Sequence, residues 1–411
     1  MTSSTTKKDL SILIGNMLDH FDTSLFGFLA PVMAPVFFPE YDPVAQLVLT
    51  YGILVTSIIT RPAGAIIFGM IARKHGAIIS LSYSLIGVAV TTFAIGCIPS
   101  FNSIGIAAPI LLAITRMIRG VFSSGEITVA KLYIMENKPQ ILALRASYLY
   151  HTSTIFGIIL ASIASWFVIR SELHELWRLC FLFGGLTGFF GYILRNIQIN
   201  LPSNTKENIQ KHEPTLKLLF NNKINILRVA IITSFSYVTY SIPFMVMNNF
   251  IPLITKVSLE SMMAFNTALL VFDMLLIPLV GRFAQNFSPR QIMLAASSSL
   301  AISILPLWYY LENSSILYIS FVRCWIVVLG VIFMIPVNLW YKNLFNNQDQ
   351  YLIVGIGNAL GTGIVGHMVP AICFSLWYMT LSSMSVAIFI ALTTICTILV
   401  ISKSKTKSNK E

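Results

Sequence analysis

The sequence predicts an all-α membrane protein, with twelve transmembrane helices in two pseudo-symmetric six-helix bundles. Three observations carry that prediction. Of 411 residues, 56% are hydrophobic and only 10% charged, whereas soluble domains carry about 25% charged residues. The chain divides into apolar runs of the roughly 20 residues a helix needs to cross a bilayer. One long hydrophilic break, at 200–226, splits those runs six and six.

The first run, 10–38, outlasts a signal-peptide core, holds Asp19 and Asp22, and shows no small-residue cleavage site. It therefore counts as a membrane helix. Runs at 46–71 and 77–98 follow, then 104–135, which contains the segment RMIRGVFSSGE from Arg116 to Glu126. Helical periodicity puts Arg116, Arg119 and Glu126 on roughly one stripe, and Gly120 and Gly125 let a neighbouring helix come close. Runs at 143–169 and 177–199 complete the first half. Beyond the break lie 227–250, 263–284, 291–311, 315–341, 351–378 and 381–402. The expected organisation is an N-terminal bundle over 1–199, a linker over 200–226, a C-terminal bundle over 227–402 and a short basic tail over 403–411.

Basic residues set the orientation. Nineteen of the 27 Lys and Arg fall in the termini, the central break and loops of one side, three on the other side, and five (Arg61, Arg116, Arg119, Lys131, Arg323) within spans. Excess positive charge marks the cytoplasmic face, so both termini are expected in the cytoplasm. The net charge of +11 is then a topology signal and not a nucleic-acid footprint. Abundant Lys, Asn and Ile suggest an AT-rich bacterial genome, and with it the inner membrane.

Several chemistries lack their signatures. The five cysteines lie within or at the ends of apolar runs without ligand spacing, so neither a metal site nor a disulfide framework is expected. No Walker motif, dinucleotide fingerprint or nucleophile constellation is present. We expect no enzyme activity and no cofactor.

Charge inside a hydrocarbon core needs a partner or a cavity. Asp19 and Asp22 are one helical step apart and can face one neighbour. Either could accept a proton, its affinity set by burial and an arginine partner; the plain alternative is a fixed ion pair. Glu126 could orient an arginine or relay a proton. Arg119 and Arg323 can each offer a carboxylate two parallel donors, or simply pack against carbonyls. Lys131 is expected to snorkel. Arg61 and Asp273 each precede a glycine (Gly69, Gly281) by eight residues in the second helix of their halves, and read as gate elements or as inter-helix pairs. His20, His151 and His367 stand one to a helix, and His151 is a possible proton relay. Trp166, Trp177, Trp308, Tyr309, Tyr310, Trp340 and Tyr341 read as interfacial anchors.

The chain resembles the major facilitator superfamily, specifically its metabolite:proton symporter branch of proline/betaine, 2-oxoglutarate, citrate and shikimate carriers. The first helix, GNMLDHFDTSLFG, is similar to that branch's G-N-x-x-E-x-(Y/F)-D-x-x-(L/I)-(Y/F)-G, with Asp19 for glutamate and Asp22 retained. ITRPAGAIIFG matches R-P-x-G-x-x-x-F-G through Arg61, Pro62, Gly64 and Gly69. RMIRGVFSSGE matches R-x-x-Q-G-x-x-x-G-G-E, with Arg119 in the glutamine position, and WRLCF at Trp177 looks like W-R-x-P-F. The resemblance covers 15–195 with some specificity, and the second half mainly in helix count. It implies that Arg116 is a coupling element, making Asp22–Arg116 the expected pair. The superfamily's gate loop G-x-x-x-D-R-x-G-R reads GMIARKHGA here, with Arg73 in the aspartate position, and Gln285 takes that place after the eighth helix.

The function expected is secondary active transport by alternating access: symport of a small polar metabolite with a proton, by a monomer. Five within-span cations against four anions (Asp19, Asp22, Glu126, Asp273) suit a zwitterion such as proline or betaine, and the extra Arg119 leans toward a carboxylate. An uncoupled uniporter or exchanger, and a transport-dead sensor or partner-binding protein, stay open.

Overall fold

The computed structural model describes residues 7–39, 57–136, 138–170, 175–199, 215–257, 259–312, 314–344, 350–366 and 368–403, with positions 41, 46, 49, 50, 52 and 53. Regular structure among them is entirely helical. The long helices are α1 (Lys7–Phe37), α2 (Ser57–His75), α3 (Ala77–Cys97), α4 (Ala107–Tyr133), α5 (Gln140–Arg170) and α6 (Leu176–Ile199). In the second half, α7 begins at Lys223–Ser241, passes through a π-helical turn (Ile242–Val246) and continues as Met247–Ile254. Then come α8 (Leu259–Phe283), α9 (Pro289–Tyr309) and α10 (Ile316–Leu344). Helix α11 runs as Gln350–Leu360, a π-helical stretch (Gly361–Gly366) and Val369–Thr380, and α12 spans Met384–Lys403. The linker residues 200–214, His367 and the tail residues 404–411 lie outside the described residues.

Each apolar run thus carries a helix among its described residues, that of the run 46–71 being described from Ser57 onward. Among the described residues, nine helices are long and apolar enough to cross a membrane. Helix α1 misses that mark, with Asp19, His20 and Asp22 along it; α2 carries Arg61, Arg73 and Lys74, and the apolar described part of α6 is Leu176–Phe189.

Two compact units form. The first comprises Met1–Ile134, Ser153–Lys223 and Tyr351–Ala359, and the second Met135–Thr152, Ile224–Gln350 and Leu360–Glu411. In the first, α3 packs on α6 and α4, α2 on α4, and α1 on α6 and α4. Gly64 makes the α2–α4 seam possible: a Cβ there would collide with the Val121 backbone. Gly157 plays the same part where α5 meets the Met17 carbonyl of α1. One apolar core gathers Leu25, Phe26, Leu29, Met33 and Phe37 of α1 around Trp177 and Phe181 of α6. Phe37 and Trp177 meet edge-on at 5.9 Å.

In the second unit, α9 packs between α10 and α12, and α8 lies on α10. Helix α9 starts on a complete capping box, in which the Ser288 hydroxyl accepts from the Gln291 amide and the Gln291 side chain from the Ser288 amide. The expected belt of interfacial aromatics is corrected in part. Trp166, Tyr309 and Tyr310 are exposed, but Trp177, Trp308, Trp340 and Tyr341 are buried. Their apolar rings fill the cores of their units, and Tyr341 bonds Thr233 at 2.7 Å.

Candidate functional site

Three buried charged groups of the first unit, Asp19, Asp22 and Arg119, converge where α1 meets α4. Arg119 is 2% exposed, Asp19 1% and Asp22 2%. Arg119 Nη2 donates to Asp19 Oδ1 at 3.1 Å, to the Asp19 carbonyl at 3.1 Å and to Thr23 Oγ1 at 2.9 Å. Its Nε forms an ion pair with Asp22 Oδ2. Ser123 Oγ donates to Asp19 Oδ2 at 3.0 Å, and the Thr23 hydroxyl donates to the Asp19 carbonyl at 2.8 Å. One guanidinium therefore holds two buried carboxylates, and this triad carries a net charge of −1 when both are ionised.

The expected Asp22–Arg116 pair is corrected. Arg119 takes both aspartates, while the Arg116 guanidinium lies 4.0 Å over the Phe26 ring. The reason is register. Asp19 meets Arg119 and Ser123, and Phe26 meets Arg116, so numbering along α1 rises as that along α4 falls. Arg119 then falls between the aspartates, and Arg116 sits one turn too far along. Thr23 and Ser123 were not singled out in the sequence, although each stands four residues after a charged partner and so on its face.

Around the triad, Asn16 Nδ2 donates to Ser153 and Thr154 hydroxyls of α5, both at 2.8 Å. His20 Nδ1 meets the Asn16 carbonyl at 2.9 Å, a contact within its own helix. Glu126 is fully buried and accepts from the Ser84 hydroxyl of α3 at 3.3 Å. The Arg61 carbonyl accepts from Ser124 Oγ at 2.8 Å, tying α2 to α4. Arg61, Arg73 and Lys131 are all buried; the snorkelling expected of Lys131 is not what its burial shows.

In the second unit, Arg323 of α10 is fully buried. Its Nε donates to the Pro243 carbonyl at 3.0 Å and its Nη2 to Asn266 Oδ1 at 2.6 Å, with the group 5.3 Å from the Phe265 ring. Neutral protein acceptors, and no carboxylate among the described residues, hold this cation. Asp273 is buried in α8, and Gln285 is exposed in the turn after it. The Asn338 amide of α10 donates to Ser147 Oγ at 3.2 Å and meets His151 Nε2 at 3.0 Å, while Ser147 Oγ reaches the Ile335 carbonyl at 3.1 Å. Lys342 Nζ donates to the Met135 and Lys138 carbonyls at 3.1 and 2.9 Å. An open cavity of about 360 Å³ lies in this unit beside Gln285, lined by Pro139, Gln140, Phe287 and Pro336. Among the described residues, no three His, Cys, Asp or Glu side chains converge as a metal site.

A family profile described as Major Facilitator Superfamily matches residues 12–350. The chain is 27% identical over 407 residues to the alpha-ketoglutarate permease of Escherichia coli strain K12, covering 93% of each chain. It is 38% identical over 126 residues to the proline/betaine transporter of the same strain, a stretch covering 31% of this chain and 25% of that one. Among solved structures, the proton:xylose symporter bound to 6-bromo-6-deoxy-D-glucose superposes with a TM-score of 0.75. Identity there is 16%, with 97% of this chain and 95% of that chain covered. At such identity the likeness establishes the fold.

Proposed function

The chain belongs to the major facilitator superfamily and is a multi-pass membrane transporter, not an enzyme; from that premise we propose that it takes up a small polar metabolite together with a proton. The observation that carries this reading is the buried Asp19–Arg119–Asp22 triad. With both carboxylates ionised, Arg119 commits its Nη2 and Nε to the two aspartates. A proton on either aspartate removes an acceptor, brings the triad to neutrality and frees N–H donors of the guanidinium. Those donors suit the carboxylate of an incoming substrate. Proton and substrate would then each favour the other's binding, which is the requirement for symport.

For the substrate class, the named relatives support two chemistries, a dicarboxylate (alpha-ketoglutarate) and a zwitterion (proline, betaine). The near balance of within-span charge favours the zwitterion. Alternating access would move the halves 1–199 and 227–402, with Arg61, Arg73, Asp273 and Gln285 at the gate, where Arg73 and Gln285 stand in the usual acidic positions. We infer a monomer in a bacterial inner membrane with both termini in the cytoplasm, using no cofactor beyond the proton gradient. Reporter fusions at the C-terminus test the orientation: a cytoplasmic reporter should be active there, and a periplasmic one silent.

The deciding experiment is uptake by purified protein in liposomes, with and without an inward proton gradient, using labelled betaine, proline and 2-oxoglutarate. Gradient-driven accumulation of one compound is expected. In Asp22→Asn accumulation should be lost, while exchange at equal pH survives. Equal equilibration with or without the gradient would leave an uncoupled facilitator. No specific uptake of any of the three would favour a transport-dead sensor.

A further inference from the structure

The open cavity of about 360 Å³ beside Gln285, formed within the second unit, lies where four membrane spans end. Gln140 opens the span of α5 and Pro289 that of α9, while the span of α8 closes at Asn286 and that of α10 at Leu344. Such ends stand at the level of lipid headgroups. Helices α5 and α8 run antiparallel beside the cavity. Tyr148 meets Gly281, where a Cβ would press on the tyrosine ring. Beyond that contact Leu144 and Gln285, then Gln140 and Pro289, line the cavity.

The charge around this cavity has one sign. The stretches that supply its lining, 138–148, 281–292 and 334–344, hold five cations (Lys138, Arg145, Arg282, Arg290, Lys342) and no Asp or Glu. Two of the five are tied to carbonyls: Lys342 to those of Met135 and Lys138, and Arg290 Nη2 to that of Ser402 at 2.6 Å. A carbonyl satisfies a donor without cancelling its charge. Arg145 and Arg282 are exposed, and among the described residues they make no hydrogen bond or ion pair. Both belong to the α5–α8 seam. Arg145 stands one turn from Ile141 of the lining and one turn from Tyr148, and Arg282 follows Gly281 and precedes Gln285 by three residues. Gln285, in an acidic position of the gate pattern, adds no counter-charge. Beside these cations the apolar side chains of Ile141 and Phe287, both in the lining, and of Phe283 are exposed.

We propose that this cavity binds the headgroup of an anionic phospholipid, with the phosphate between Arg145 and Arg282 and the glycerol and first acyl carbons against Ile141, Phe283 and Phe287. A guanidinium offers phosphate oxygens two parallel donors, and basic pockets between the ends of membrane helices take such headgroups. The cations supply the charge complementarity, and the exposed apolar side chains select an amphiphile. A soluble anion would use the arginines alone and leave that apolar rim in water. The bound phosphate provides the counter-charge that Gln285 does not. This site is independent of the cargo and of proton coupling, and so goes beyond the transport reading above.

The test titrates the purified full chain, in a neutral detergent, with dihexanoyl phosphatidylglycerol, dihexanoyl phosphatidylcholine and inorganic phosphate, each lipid kept below its micelle concentration. The two lipids share a phosphate and acyl chains and differ in net charge. Wild type should bind the phosphatidylglycerol at least about tenfold more tightly than the phosphatidylcholine, about 1.4 kcal/mol. Arg145→Gln and Arg282→Gln should each weaken phosphatidylglycerol binding about threefold, and the double variant should bring the two lipids to within about threefold of each other. Gln285→Asp, which puts a carboxylate in the lining, should also shrink the preference. Lys403→Gln, which removes an exposed cation at the end of α12, should leave it intact. All of these change exposed side chains, so wild-type unfolding temperatures are expected. Equal affinity for the two lipids, binding of neither, or a preference unchanged in the double variant would overturn the site. If inorganic phosphate displaces the phosphatidylglycerol at equal concentration, the cavity takes a soluble anion and the lipid assignment fails.

Discussion

Arg119 places a guanidinium between two carboxylates that are out of reach of water, so its removal leaves two buried negative charges facing each other. Breaking a buried pair from one side costs about 3–5 kcal/mol. Arg119→Leu is therefore expected to lower the thermal stability of the detergent-solubilised protein sharply. Adding Asp19→Asn and Asp22→Asn should restore much of the loss, because coupled neighbours are not additive. Arg116→Leu removes a cation–ring contact over Phe26, worth about 0.5–2 kcal/mol, and should be milder; equal losses in the two variants would contradict the register described above. The sequence made the participants legible and the pairing illegible. Arg116 and Arg119 share a helical stripe, so periodicity alone cannot say which one meets the aspartates. That choice depends on the antiparallel offset of α1 against α4, which packing sets.

Among elements, the helices were legible because hydrophobic length and turn residues mark them, and α9 begins at its Ser288 cap, just ahead of the predicted run 291–311. The π-helical turns of α7 and α11 were not legible, since their hydrophobic pattern continues across the extra residue. Nor were the aromatic residues at helix ends, whose amphipathic rings serve an interface or a core equally well. The α2–α4 seam yields a prediction at this scale. Gly64 lies against the backbone of Val121, which cannot rotate aside as a side chain can. Gly64→Val should push the helices apart at about 1–3 kcal/mol, seen as a lowered unfolding temperature. Gly27, with open space around its position, should accept alanine with a change of less than about 0.5 kcal/mol.

For the molecule as a whole, chain order and spatial grouping differ in an informative way. The break at 200–226 announces two halves, yet the segment Met135–Thr152 groups with the second unit. Lys342, Asn338 and Ile335 hold it there through the Met135 and Lys138 carbonyls, Ser147 and His151. None of these contacts involves an ion pair, so no search for complementary charge would find them. Lys342→Met should release two carbonyls, and amide exchange over 135–144 should quicken at least severalfold relative to wild type, with the rest of the chain unchanged. No difference in that segment would show that Asn338 and Ser147 suffice.

The triad of one arginine and two aspartates also has an electrical side. Ionised it carries one negative charge, and with a single proton it carries none. A membrane potential does work only on charge that moves through it, about 2.3 kcal/mol per elementary charge per 100 mV. In a symport cycle run on this triad with a zwitterionic cargo, the loaded carrier would reorient electrically silent. The voltage would act on the empty carrier, driving its bare negative charge back toward the outer face of a cell whose interior is negative. Uptake current should then depend most steeply on voltage when substrate and protons are saturating, for there the empty return sets the pace.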